Sequence, residues 1–205
     1  HECIRIGVKM TPKKLFLKNF LSYENVELDF DPLYCSALVG SNGVGKTTLL
    51  STSLLVALFG KSPVDGKTLS GRGDLTNYVK HGTNGFCIQF EFEESGKIYK
   101  VIRNYELDAN KKTGVEDLSL YVQDESGTVV DSFGCVWKDL SDHRKTATQA
   151  VLDRIIRIDY DSLVCSAFIL QGKSGIFNDM DDTTRKGILA NILDLGKWDV
   201  FREEA

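Results

Sequence analysis

Apolar and polar residues alternate from residue 26 to residue 30, with Val26, Leu28 and Phe30 set against Glu27 and Asp29, which is the period of a strand with one buried face. Residues 14–20 carry a strand pattern just before it, and residues 21–25 read as the turn between the two. Asp31 and Pro32 break the second strand. Residues 34–39, ending in the apolar run Ala37, Leu38 and Val39, then predict a third strand that is buried. Residues 49–59 predict a helix with Leu50, Leu54, Ala57 and Leu58 on one face. Being apolar on several sides it belongs in the core, and Gly60 stands where its C-terminal cap should be.

Residues 61–77 are rich in Gly, Ser and Asp without periodicity and read as a mobile surface connection. Residues 86–92 and 97–103 predict strands joined at Ser95 and Gly96. Residues 118–123 and 128–130 suggest a second hairpin about the turn at residues 124–127. The region 86–130 is thus expected to form a β-rich lobe inserted after the helix, unlike a regularly alternating βαβ domain. Beyond Thr146 the spacing turns helical, with Val151, Leu152, Ile155 and Ile156 on one side. Asp161 or Ser162 can cap a following helix through Ala167. A last helix, capped near Asp182 or Thr183, presents Ile188, Leu189, Ile192 and Leu193 and stops at Gly196. Residues 197–205 read as the first turns of another.

Between the third predicted strand and its helix lies Gly40-Ser41-Asn42-Gly43-Val44-Gly45-Lys46-Thr47-Thr48, which matches Gly-x-x-x-x-Gly-Lys-Ser/Thr at Gly40, Gly45, Lys46 and Thr47. Glycines let the backbone adopt positive φ and approach phosphate oxygens, and the emerging helix adds unpaired N–H donors and its positive dipole end. In this pattern Lys46 reaches the β- and γ-phosphates and the Thr47 hydroxyl binds Mg²⁺.

Composition restricts the reading without redirecting it. With 205 residues, 42% hydrophobic and 26% charged, the chain has the make-up of an ordinary globular protein. The net charge of −4 is no nucleic-acid signature, although residues 1–80 carry 10 Lys and Arg against 7 Asp and Glu, and residues 81–205 carry 15 against 22. Five scattered cysteines and three isolated histidines form neither a disulfide framework nor a zinc motif. No apolar run is long enough to span a bilayer and no secretory signal opens the chain, so a cytoplasmic protein without membrane contact is expected. Residues 1–9, ahead of Met10, are an expression remnant or an upstream extension.

A phosphate loop of this kind works with an acidic residue after an apolar strand, and none fits. Asp124 follows Gln123 and precedes Ser126 and Gly127, which favours a hairpin turn. Asp159 follows Arg157, a poor occupant of a buried strand. Leu69-Ser70-Gly71-Arg72-Gly73 has the look of an ABC signature but comes too soon and lacks the following helix. Asn110-Lys111-Lys112-Thr113 lacks the Asp of a guanine-reading motif.

Taken in order, Lys14-Leu15-x-Leu17-Lys18-Asn19-Phe20-x-Ser22-Tyr23, the phosphate loop, Phe168-Ile169-Leu170-Gln171-Gly172 and Arg185-x-x-Ile188-Leu189-x-x-Ile192-Leu193 resemble the N-terminal half of an SbcC-type ATPase head. These SMC-like proteins of the ABC ATPase class act in double-strand-break repair. The resemblance implies an α/β P-loop NTPase fold, with residues 10–196 as the N-terminal half of the head, residues 168–173 as its Gln loop and residues 197–205 as the start of a coiled coil. It implies ATP and Mg²⁺ as cofactors and Mg-dependent ATP hydrolysis. Walker B, the catalytic Glu and the signature would lie in a C-terminal half. Residues 42–48 would bind the triphosphate, Thr47 and Gln171 would complete the Mg²⁺ and attacking-water arrangement, and Asn19 and Ser22 would lie near the nucleotide. Leu21 stands where relatives often carry a basic side chain. The implied partners are the C-terminal half, a second head joined through ATP, an SbcD-type nuclease and non-specific DNA. Alternatives are an SMC-like ATPase of chromosome organisation or phage defence, or a non-hydrolysing dimerisation module.

Overall fold

The computed structural model describes residues 10–33, 35–61, 75–109, 113–167, 177 and 180–192. Residues 10–155 form one compact unit, and the described residues from Ile156 onward belong to another.

The first unit is built on one seven-stranded antiparallel sheet in the order β2-β1-β3-β4-β5-β7-β6. Its strands are β1 (Thr11–Phe20), β2 (Tyr23–Asp29), β3 (Gly85–Glu94), β4 (Lys97–Leu107), β5 (Gly114–Gln123), β6 (Val129–Val130) and β7 (Val136–Asp139). The predicted first strand and the Ser95–Gly96 hairpin are both present, the two turn residues having φ of 52° and 76°, the left-handed pair that suits a two-residue hairpin turn. The expected inserted lobe is corrected. Leu15 pairs with Phe90 and Leu17 with Ile88, so β1 joins the middle strands in a single sheet. The second hairpin is also corrected. The turn at residues 124–127 forms, closed by Gly127 N–H donating to Asp124 O (2.9 Å), but β5 pairs with β7, and β6 lies outside β7 at the sheet edge. Pairing β5 with β7 gives Trp137 a buried place that Val129 and Val130, both exposed, do not fill.

Alternation gives the sheet one apolar face. The row Leu15, Phe90, Val101 and Leu120 is fully buried, and burying each such side chain contributes about 1.5–3 kcal/mol. The helix α1 (residues 46–59) contacts β3 and β4. Its middle, Thr48–Thr52, is π-helical and Ser53–Phe59 is α-helical. The wider turn rotates the buried face. Leu49, Leu55, Val56, Ala57 and Leu58 are buried, whereas Leu50, expected inward, is exposed. Gly60 ends the helix at φ 66°, as its sequence position predicts.

Beneath that cap sits a charge the strand pattern does not advertise. Arg103 continues the inward row Leu17, Ile88 and Leu118 and is 1% exposed. Its guanidinium donates to Ala57 O and Leu58 O, to Gln149 Oε1 at 2.8 Å and to Glu116, with which it forms an ion pair. Gln149, on α2 (Lys145–Ile156), also donates to Leu58 O at 2.8 Å. Cationic donors at a helix C-terminus satisfy orphan carbonyls and complement the dipole.

Two further expectations change. Of the strand expected over residues 34–39, the described residues 35–39 form none: they are irregular, with Val39 88% exposed and Leu38 exposed. An apolar run becomes a buried strand only where neighbouring strands offer hydrogen bonds, and among the described residues none pairs with it. The connection after α1 lies outside the described residues from 62 to 74, but its end is ordered into a 3-10 turn, Leu75–Tyr78, with both end residues buried.

In the second unit, α3 (Tyr160–Ala167) packs on α4 (Asp182–Ile192). The caps fall earlier than expected, by two or three residues in α3 and by one or two in α4. Asp159 accepts from Ser162 N–H (2.8 Å), and Asp181 accepts from Thr183 and Thr184 N–H (3.0 Å each). Ile188 is buried, but Leu189 is exposed. Leu193 and residues 197–205 lie outside the described residues.

Candidate functional site

The turn between β1 and β2 and the start of α1 converge on Gly45. The turn is only Leu21 and Ser22, shorter than residues 21–25, because Tyr23 already pairs with Phe20. Asn19 and Leu21 both adopt positive φ (54° and 50°), and the bend is pinned by Leu21 N–H donating to Tyr78 O (2.8 Å) and Lys80 N–H donating to Asn19 O (2.9 Å). A left-handed residue suits Asn, so Asn19 has a backbone reason for its position. Its side chain lines a cleft with Lys18, Asn84, Cys87, Asn104 and Glu106, and no hydrogen bond among the described residues joins it to the phosphate loop.

Ser22 is brought to the loop. A Cβ on Gly45 would stand 2.7 Å from Ser22 Oγ and 3.1 Å from the ring and hydroxyl of Tyr23. With φ at 94° as well, position 45 admits no side chain. Gly43 (φ 84°) has open space where a Cβ would be. Ser41, Asn42 and Val44 are exposed. The Lys46 ammonium curls over this arc, donating to Gly40 O and Ser41 O at 2.7 Å each. The helix begins at Lys46, and Leu49 N–H donates to Gly45 O at 2.9 Å. Thr47 is exposed and forms no capping hydrogen bond through its side chain, while Thr48 opens the π-helical stretch.

These residues fit a magnesium nucleotide. A glycine-rich backbone arc, a lysine ammonium, an uncommitted threonine hydroxyl and a helix N-terminus are the donors a polyphosphate and its cation require. Of the two carboxylates weighed from the sequence, Asp124 accepts from Ser126 N–H in a hairpin turn, which holds its carboxyl below the usual range, and Asp159 caps α3. Neither belongs to a buried strand end, in keeping with the sequence argument against both. Among the described residues no group of three or more His, Cys, Asp or Glu could hold a metal ion. Gln171 with the rest of residues 168–173, and Leu69 to Gly73, lie outside the described residues, as do Asn110, Lys111 and Lys112.

Two contributors carry no assignment from the sequence. Tyr23 follows Ser22 directly and touches the loop, a role its place at a strand start conceals. Arg103 breaks the apolar series Tyr99, Val101, Tyr105, and a charged residue on an inward register is the signal that could have found it. No helix among the described residues is long and apolar enough to cross a membrane.

Comparison with known proteins agrees with this geometry. The AAA domain description matches residues 14–195. The chain is 25% identical over 194 residues to a DNA double-strand break repair Rad50 ATPase of Halobacterium salinarum, covering 94% of this chain and 19% of that protein. It is 24% identical over 189 residues to the SbcC component of the nuclease SbcCD of Deinococcus radiodurans, covering 92% and 19% respectively. The chain thus spans about a fifth of the length of these curated relatives. A solved structure from work on ATP-driven dimerization and DNA stimulated activation of SMC ATPases matches 89% of this chain and 99% of its own, with a TM-score of 0.51 at 17% identity. A phosphate loop between a β1–β2 turn and a sheet-packed helix, in an SMC-type head fold of mixed α/β architecture, places the chain in the AAA domain family, as a Rad50/SbcC-like portion of an ATPase head.

Proposed function

We propose that this chain is the ATP-binding N-terminal half of an SMC-like ATPase head that engages a second head around Mg·ATP and gates DNA access of an SbcD-type nuclease. The observation that carries this reading is the junction at Gly45, where a glycine-rich arc crossed by the Lys46 ammonium runs into the first turn of α1. On this reading residues 10–196 are the half-head and residues 197–205 open a coiled coil.

Residues 42–48 hold the triphosphate through backbone N–H groups. Lys46 leaves the carbonyls of Gly40 and Ser41 for the β- and γ-phosphates, and Thr47 with Gln171 orients the cation. Mg²⁺, when bound, would supply neutralisation of the polyphosphate charge. Asn19 and Ser22 border the nucleotide from the β1–β2 turn. A head that binds ATP better when engaged than when separate is shifted toward engagement by ATP and released by hydrolysis. The names of the relatives, a Rad50 ATPase of double-strand break repair and a component of the nuclease SbcCD, support the repair role and the nuclease partner. Contacts to DNA would be to phosphates, so affinity should fall steeply with salt.

The test is Mg·ATP binding and turnover by this chain, alone and mixed with a C-terminal half, with Lys46→Ala as control. Binding lost in the variant, turnover only in the mixture and dimers on ATP addition are expected. Unaided turnover would mean that the acidic catalytic residues lie within this chain, and absence of Lys46-dependent binding would remove the ATP reading altogether.

A further inference from the structure

We propose that Tyr23 is a positioning residue of the phosphate loop, its hydroxyl fixing the peptide that joins Gly45 to Lys46. The inference rests on the reading of residues 42–48 as an ATP site. The Tyr23 hydroxyl donates to Gly45 O at 3.1 Å and approaches Val44 O at 3.4 Å. Gly45 O also accepts from Leu49 N–H at 2.9 Å. This carbonyl is therefore held from two directions, by a strand of the sheet and by the first turn of α1.

Peptide planarity gives that grip its consequence. In a trans peptide the C=O of one residue and the N–H of the next point opposite ways. With Gly45 O turned along α1 toward Leu49, the Lys46 N–H is turned toward the open N-terminal end of the helix, the direction a bound phosphate occupies. Gly45 has no side chain to restrict its backbone at a φ of 94°, and without Tyr23 this plane would be held from α1 by the bond from Leu49 N–H. Ser22 Oγ and the Tyr23 ring, close against Gly45, narrow the space for rotation of the plane, and the hydroxyl selects one setting.

The mount is rigid. Tyr23 pairs with Phe20, whose ring is fully buried, and the intervening turn is tied to residues 78 and 80 through Leu21 N–H and Asn19 O. Phenylalanine at position 23 would preserve the ring packing and the strand pairing and lose the hydrogen bond alone.

The experiment measures Mg·ATP affinity by calorimetric titration of the wild type, Lys46→Ala and Tyr23→Phe, together with the thermal midpoint of each ligand-free protein and amide exchange at Leu49. The expected result is an affinity about three- to tenfold weaker in Tyr23→Phe, the range of one intramolecular hydrogen bond, with an unchanged ligand-free midpoint and faster exchange at Leu49. Wild-type affinity in Tyr23→Phe overturns the proposal. So does a weakened affinity that comes with a lowered midpoint and unchanged exchange at Leu49, which would mark a general loss of stability. Failure of the ATP reading itself is seen separately, as a wild type that binds no better than Lys46→Ala.

Discussion

Arg103 grips the carbonyl of Ala57 with two nitrogens, Nε at 3.2 Å and Nη2 at 3.1 Å, and so fastens the last turn of the phosphate-loop helix to the fourth strand. Burial lowers its pKa, opposed by the charge and hydrogen bond of Glu116. The helix is thus fixed at its C-terminal end by a charge, and at its N-terminal end by the packing of Ser22 and Tyr23 on Gly45.

Arg103→Met strips the carbonyls of Ala57 and Leu58 of their buried donor and leaves the half-buried Glu116 with only the part-exposed Lys145 (2.6 Å) as its partner. Removing one member of a buried pair costs about 3–5 kcal/mol, so the urea midpoint should fall by that equivalent. Adding Glu116→Leu should recover part of the loss, because it removes a half-buried carboxylate that has lost its buried partner and keeps only the part-exposed Lys145. A double variant less stable than Arg103→Met would contradict this account.

Gly45→Ala should weaken Mg·ATP binding more than tenfold. The added methyl meets Ser22 Oγ at 2.7 Å and must hold a φ of 94°. Gly43→Ala meets nothing within 4 Å and carries only the left-handed strain of about 1–2 kcal/mol. Titration of both variants checks the order, and equal losses would refute the packing at Gly45.

Asp131 accepts from Trp137 Nε1 (2.8 Å), from the N–H groups of Phe133 and Cys135 (3.0 Å each) and from Lys100 (3.2 Å). Burial pushes its pKa up, and these donors together pull it down to about 2. The folded value lies below the unfolded one of about 3.9, so the stabilisation is present above pH 4 and is lost as pH falls from about 4 through 2. Asp131→Asn should cost about 2 kcal/mol at pH 7, with the gap shrinking to a few tenths of a kcal/mol by pH 2. Thermal midpoints measured across that range decide it, and a gap that stays undiminished at pH 2 contradicts the assignment.

Val39→Thr should change stability by less than about 0.5 kcal/mol, because the side chain is almost wholly exposed. A loss above 2 kcal/mol in denaturant would restore the buried strand read from its neighbours.

The parts legible in sequence are those governed by local rules. The spacing of Gly40, Gly45, Lys46 and Thr47, the strand alternation of β3 and β4, the Ser95–Gly96 turn and the cap at Gly60 all follow from neighbours within a few residues. What escapes such rules depends on distant partners. Ala37, Leu38 and Val39 have strand composition but no described strand beside them, Val129 and Val130 pair with β7 in place of β5, and Arg103 needs the carbonyls of α1 to make burial tolerable. The π-helical turn at Thr48–Thr52 moves Leu50 outward, which no period of 3.6 anticipates.

The order of the strands also bears on how the molecule assembles. β3, β4 and β5 are successive neighbours joined by short reversals and can zip up locally, whereas β1 reaches β3 only by closing the long stretch between Phe20 and Gly85. Closing such a stretch is entropically expensive and slow relative to hairpin formation. The phosphate loop and α1 lie inside it, so nucleotide affinity should emerge late in refolding, after the hairpins have acquired their amide protection, and ATP present from the start should slow unfolding more than it speeds folding.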